Sequence, residues 1–319
     1  MDTETGHSYF PISLDTIVLN SLVGFDLFIY NREKNAYVLY ASRHTHFTES
    51  QRMKLIENNV RALFISSTDL SEYNGYIEDN LDQIVENPKL KKEEKAHIVY
   101  QTARNLMGSV MDDPHAGESI RRSERFVNNT IRYILNEKDY FFDIIHLTSH
   151  DYYTYTHSVN VCVYSLSLAR RIGIKSPFQL SLIGTGALLH DIGKSRISKE
   201  ILLKKGKLDA EEWETIKNHS VYGVDILKRH KDISPEIFNI VKYHHEKLDG
   251  SGYPEGLSGK SIPFYAKITT IADVFDALNT NRPYKSAADT FHSLEIINEQ
   301  FDGKVDKKLL REFILLFKK

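Results

Sequence analysis

Leu188-Leu189-His190-Asp191-Ile192-Gly193-Lys194 closes an apolar run that begins at Leu180. The run reads as a helix buried on all sides, with an imidazole and a carboxylate side by side where it ends. Gly193 reads as a C-cap or tight turn, and Lys194 sets a cation next to the carboxylate. Adjacent residues cannot share one helix face, but at a helix end both can turn toward one point. Such a pair could hold metal ions, with the carboxylate free to bridge two of them. Taken alone, a His-Asp dipeptide is more often a surface pair or a satisfied local hydrogen bond. The reading therefore depends on the histidines placed around it.

Composition bounds what those histidines can mean. The chain has 319 residues, 41% hydrophobic and 26% charged, which fits a globular protein with a sizeable core and room for two domains. Lys+Arg of 41 against Asp+Glu of 43 argues against duplex nucleic-acid binding, while leaving room for a local basic pocket that takes a small anion. A single cysteine, Cys162, excludes an intrachain disulfide and suits a cytoplasmic setting. Met1 to Ser8 is polar and acidic without a signal-peptide core, and no apolar run reaches the length of a membrane span.

Residues 1–70 read as a small α/β domain of unassigned role. Phe25–Tyr30 and Ala36–Ala41 are β-rich runs joined by the polar stretch Asn31 to Asn35, a hairpin with a longer loop. Thr48 with Gln51 makes a capping box opening a short helix to about Asn59, and Arg61–Ser66 reads as another strand. His44 and His46 sit in a polar turn, where solvated histidines are the plainer reading than a metal site. Residues 71–150 read as a helical connector. It holds an apolar helical pattern over Asp79–Val85, a helix over Lys91–Met111, the breaker Asp112-Asp113-Pro114, and one long helix from Glu118 to about His146. A link from a sensory to a catalytic part, plain packing and the seam of a homodimer are equally good readings of it.

From residue 151 to 319 the chain reads as all α, and histidines recur against helical runs: His157, His190, His219, His244 and His245. Thr156-His157-Ser158 is expected to open a helix Val159–Arg171, Asp209 to cap Ala210–His219, and Pro235 to open a helix reaching His245. Tyr265–Leu278 is a further helix carrying Asp273 and Asp276. One polar residue in a helix is usually a satisfied side chain. Five at such positions favour a shared site.

The sequence here resembles a known family. His190-Asp191 with Ile192-Gly193-Lys194 is similar to the signature of HD-domain phosphohydrolases. The run His244-His245-Glu246-Lys247-Leu248-Asp249-Gly250-Ser251-Gly252-Tyr253-Pro254 resembles the second signature of the HD-GYP subgroup. The likeness continues through Ile271 to Leu278 and Arg282-Pro283-Tyr284, and covers residues 150–319. It implies an all-α bundle in a bacterial signal-transduction enzyme, a phosphodiesterase that hydrolyses cyclic di-GMP to pGpG, with onward cleavage to GMP left open. It implies His157, His190, Asp191, His219, His244, His245 and Asp273 as metal ligands, with Asp191 as the bridge and iron or manganese as the metal. Lys194 is then the catalytic group at the scissile phosphate. Arg282 and Lys285 face substrate phosphates, Gly252, Tyr253 and Pro254 form the pocket wall, and Glu246 supports the ligands. The Tyr253 loop also becomes a contact for diguanylate cyclases.

Elementary chemistry agrees with that implication. Two ions roughly 3.5–4 Å apart lower the pKa of a shared water, so a metal-bridging hydroxide can attack phosphorus at neutral pH. His and carboxylate donors suit such ions better than a thiolate zinc site. One departure bears on their number. The three-metal members carry a Glu four residues before the first His ligand, where this chain has Tyr153, and a phenol is a poor replacement; two ions are expected. The competing readings are a cyclic di-GMP receptor without turnover, a phosphodiesterase for a hybrid cyclic dinucleotide, and a scaffold acting through partners.

Overall fold

The computed structural model describes residues 8–136, 154–279 and 289–318. The chain forms two compact units, Met1–Thr102 and Ala103–Lys319. The stretch read as a connector is thereby shared between them, and the division falls inside helix α4 (Lys92–Asp112).

The first unit is built on a four-stranded antiparallel sheet. Strands β1 (Tyr9–Ser13), β3 (Leu27–Asn31), β4 (Ala36–Ala41) and β6 (Ala62–Ser66) lie in the order β1-β6-β3-β4, and the short β2 (Leu22–Val23) pairs with β5 (Thr45–His46). The β3–β4 hairpin turns at Asn35, whose φ of 48° lies in the left-handed region that Asn tolerates. Helix α1 (Glu49–Glu57) starts at the expected capping box, Thr48 and Gln51 each satisfying the other's backbone N–H. Phe25, Leu27, Leu63 and Ile65 bury against Tyr76 and Ile77 of α2 (Leu70–Asp79) and Ile84 of α3 (Leu81–Glu86). His44 and His46 are exposed in their turn, as solvated histidines would be.

The second unit is helical. Its elements are α5 (Gly117–Asn136), α6 (Thr154–Arg171), α7 (Pro177–Leu189), α8 (Lys199–Leu202), α9 (Ala210–Lys217), α10 (His219–Leu227), α11 (Pro235–Tyr243), α12 (Phe264–Asn279), α13 (Thr290–Gln300) and α14 (Lys307–Ile314). Helix α7 is apolar all round, and every residue from Leu182 to Leu189 is buried, because α5, α6 and α11 pack about it. Gly184 and Gly186 make that enclosure possible. A Cβ at either would come within 2.6 Å of Val127 on α5 or Ile240 on α11.

Three boundaries differ from the sequence reading. Helix α6 is described from Thr154 onward, so His157 lies within it and not ahead of it. The helix expected from Ala210 to His219 breaks at Asn218, which closes α9 and opens α10, leaving His219 as the first residue of a new helix. Gly193 is neither a left-handed C-cap nor a tight turn. The chain passes from α7 through Asp191 into a 3-10 helix, Ile192–Arg196, and Gly193 is not among the residues with positive φ. Contact is what demands the glycine, since a Cβ there would lie 1.8 Å from the His219 carbonyl oxygen and 2.5 Å from the Gly223 nitrogen. The long helix expected to reach about His146 is described only to Asn136, and its remainder lies outside the described residues.

Candidate metal centre

Five histidines and two aspartates from five helical elements meet at the end of α7. His157 comes from α6, and His190 and Asp191 from the junction of α7 with the 3-10 helix. His219 comes from the start of α10, His244 and His245 from the end of α11, and Asp273 from the middle of α12. His190 and His244 are fully buried, and His219, Asp191 and Asp273 nearly so.

The rings are held by their outer nitrogens. His190 Nδ1 donates to the Ala187 carbonyl at 2.7 Å, His219 Nδ1 to Ile216 at 2.6 Å, and His244 Nδ1 to Val241 at 2.8 Å. Each acceptor is the carbonyl three residues earlier, so a helix end supplies both the imidazole and the group that orients it. These bonds place the proton on Nδ1 and aim a free Nε2 lone pair at the centre. His157 is held differently. Its Nδ1 lies 2.6 Å from Asp276 Oδ2, and Asp276 Oδ1 accepts from Asn160 Nδ2 at 2.7 Å.

Asp191 occupies the middle. Its Oδ2 lies 3.5 Å from His157 Nε2 and 3.3 Å from His190 Nε2, while Oδ1 lies 3.3 Å from His219 Nε2. Asp273 spans the other side, Oδ1 at 3.2 Å from His157 Nε2 and Oδ2 at 3.5 Å from His245 Nδ1. The donor atoms fall into two groups able to hold a metal ion, His157–His190–Asp191 and Asp191–His219–His244–His245, with Asp191 in both.

The polar atoms at the centre are hard to explain without a cation. His190 Nε2 is buried and has no hydrogen-bond partner, and His219 Nε2 faces His244 Nε2 at 3.2 Å. With Nδ1 donating on both rings, two lone pairs point at one another, an arrangement that a bound cation relieves. Nitrogen and carboxylate donors without sulfur fit iron, manganese or zinc-type ions, so the residues present fit a two-metal centre.

The electrostatics point the same way. Burial drives His219 down to about 4 and His245 to about 3, and holds His244 well below the ordinary histidine value, so these three are neutral at pH 7. Burial also favours neutral Asp191, but the Lys194 ammonium and nearby imidazoles outweigh it and keep the carboxyl well below its usual range. Asp273 behaves alike through His157 and His245. At His157 burial is outweighed by the carboxylates of Asp273 and Asp276, which raise the ring to about 9. Lys194 Nζ donates to Asp191 Oδ2 at 2.6 Å and is one-quarter exposed, at the boundary between the centre and solvent.

The loop after α11 covers the second group. The Tyr253 ring lies over His245 at 4.6 Å between centroids, and its backbone nitrogen donates to the His245 carbonyl at 3.3 Å. Gly252 allows this approach, because a Cβ would sit 2.4 Å from Glu246 Cα. Pro254 follows through a cis peptide bond. Glu246 is buried, and its Oε1 accepts from the Glu255 backbone nitrogen at 2.8 Å, which anchors the loop to the end of α11, while its Oε2 is buried without a hydrogen-bond partner. Tyr153, Arg282 and Lys285 lie outside the described residues.

Sequence reading assigned no role to Asp276 or Asn160. Asp276 stands three residues after Asp273, one turn along α12 on the same face, and that spacing was the available signal.

Residues 140–309 match the HD domain family. Among curated proteins, the chain is 31% identical to the cyclic di-GMP phosphodiesterase PA4108 of Pseudomonas aeruginosa, over 69% of this chain and 51% of that protein. It is 35% identical to the 3'3'-cGAMP-specific phosphodiesterase 3 of Vibrio cholerae, over 71% of this chain and 45% of the other. The chain thus spans about half the length of these curated relatives. Among solved structures, Bd1817, an HDG"Y"P protein from Bdellovibrio bacteriovorus, superposes over 98% of this chain and 100% of its own with a TM-score of 0.67 at 20% identity, a likeness of fold. Among the described residues, no helix is long and apolar enough to cross a membrane. With its paired donor groups around one shared aspartate and its HD-type bundle, the chain belongs to the HD domain family as an HD-GYP-like member.

Proposed function

We propose that this chain is a metal-dependent phosphodiesterase that opens cyclic di-GMP to pGpG, with iron or manganese as its metal. The observation that carries the reading is the sharing of Asp191 by two donor groups while Lys194 Nζ reaches the same carboxylate. His157, His190, Asp191, His219, His244, His245 and Asp273 would hold two ions, which when bound would supply Lewis-acid activation of water and offset phosphate charge.

The remaining work falls to the protein's own groups. The Nδ1–H bonds fix His190, His219 and His244 in the tautomer that leaves Nε2 free. Lys194, held at the edge of the centre, turns its ammonium to a phosphate oxygen and steadies the departing oxygen. Gly252, Tyr253 and Pro254 shape one wall of the pocket. Arg282 and Lys285 bind substrate phosphates, the guanidinium in bidentate fashion.

A second reading is that the preferred substrate is a hybrid cyclic dinucleotide. It is favoured by the 35% and 45% identities to two Vibrio cholerae phosphodiesterases named as 3'3'-cGAMP-specific. The test is elemental analysis of anaerobically purified protein, with cyclic di-GMP and 3'3'-cGAMP assayed side by side on the same sample. About two ions per chain with cleavage of cyclic di-GMP is the expected result. Faster cleavage of 3'3'-cGAMP selects the second reading. Metal and tight binding without turnover of either would make the chain a receptor. Asp191→Ala should abolish cleavage and lower metal content, and retained cleavage would refute the shared-carboxylate centre.

A further inference from the structure

Trp213 is the chain's only tryptophan and stands on α9 with 47% of its surface exposed. A tryptophan that served only to pack would bury more of its ring. Among the described residues its ring meets that of Tyr253, at 6.4 Å between centroids and 80° between planes. Tyr253 in turn lies 4.6 Å from the His245 ring and 6.3 Å from that of His219. A line of aromatic contacts therefore runs from the metal centre out to an exposed indole. Because Trp213 and Tyr253 meet edge to face, they form a corner, with the indole face as one wall.

That corner is pre-organised. Asp209 and Glu212 form a reciprocal capping box at the start of α9, and Lys204 Nζ donates to both Glu212 carboxylate oxygens at 2.6 Å. The Trp213 backbone nitrogen closes the same turn on the Asp209 carbonyl at 3.0 Å. From there the chain runs directly to His219, the first residue of α10, so the indole and a candidate ligand are placed by one continuous segment. An exposed indole on a fixed backbone turn beside a phosphate-cleaving centre suits a flat heterocycle attached to that phosphate. Every nucleobase offers such a face.

We infer that Trp213 is a substrate-positioning residue that stacks against one nucleobase of the dinucleotide, with Tyr253 closing the corner. This rests on the phosphodiesterase reading above, and it concerns base recognition, which the metal ligands do not supply. Base–aromatic stacking of this kind corresponds to about a tenfold effect on binding.

The test uses the full, metal-loaded chain. Trp213→Ala should raise KM for cyclic di-GMP about tenfold while kcat changes much less, and Trp213→Phe should restore most of the loss. Metal content should be unchanged in both variants, a readout that a merely structural role would disturb. Because the wild-type chain has one tryptophan, stopped-flow mixing with cyclic di-GMP should also change indole emission within the first turnover. If wild type cleaves cyclic di-GMP, yet Trp213→Ala keeps its KM and emission does not move, the stacking role is wrong and the phosphodiesterase reading stands. If metal-loaded wild type neither binds nor cleaves cyclic di-GMP or 3'3'-cGAMP, both fall together.

Discussion

Gly193→Ala adds one methyl group at the place where the centre has no slack. Its Cβ would lie 1.8 Å from the His219 carbonyl oxygen, 2.5 Å from the Gly223 nitrogen and 2.8 Å from the His219 carbonyl carbon. All three are backbone atoms, so no rotamer change relieves the clash. Real Cβ atoms essentially never come closer than 3.0 Å to a neighbour, and ordinary contact begins at 3.4 Å, so the 3-10 helix and the start of α10 must separate by roughly 1.2–1.6 Å. A metal site tolerates about 0.5 Å of displacement in its ligands. His219, whose Nε2 stands 3.3 Å from Asp191 Oδ1, would leave the range in which it can share an ion with that carboxylate. Overpacking of this kind costs about 3 kcal/mol, and for a domain of this size that lowers Tm by about 6–12 °C. The assay is thermal unfolding of chelator-treated protein, paired with elemental analysis of the loaded protein. Metal should be lost first from the group containing His219. A Gly193→Ala protein with wild-type Tm and full metal content would refute the close-approach account of this glycine.

Asp276→Ala should lower metal affinity about 10- to 100-fold at the group containing His157, with Asp276→Asn milder because the amide oxygen can still accept from Nδ1; titration of chelator-treated protein with Mn²⁺ reads this. Lys194→Ala should leave metal content near wild type while slowing cleavage of cyclic di-GMP about 100-fold, so a coupled loss of metal would reassign Lys194 to holding the site. Metal-free protein should become easier to unfold in urea as pH falls from about 6.5 to 4. His219 is held down to about 4 when folded but takes a proton near 6.5 when unfolded, so the unfolded chain binds more protons across that window. His245 and His244 act in the same direction, whereas the contribution of His157, raised to about 9, is complete below 6.5 and fades only as pH rises through 9. An unchanged urea midpoint at pH 4.5 would contradict the buried, neutral imidazoles.

Much of the site is legible as sequence because helix ends are local features. The apolar run from Leu180 and the histidine positions follow from short-range pattern, and the two signatures place His190, Asp191, His244 and His245 at helix ends. The structure brings the candidate ligands together. Misreadings arose where the deciding contact is distant in the chain. Gly193 looked like a cap because glycine after a helix usually is one, while its actual constraint is the His219 backbone on another helix.

What the sequence by itself determined is therefore the helical pattern, the absence of thiolate ligands and the inventory of imidazoles and carboxylates. Only the tertiary structure decided that Asp191 faces both donor groups, that Asp276 and Asn160 hold His157, and that Trp213 stands exposed beside Tyr253. The physical reason is that propensity and capping act over three or four residues. A donor set is closed by the packing of five helical elements, and the direction in which each side chain points is fixed only when those elements meet.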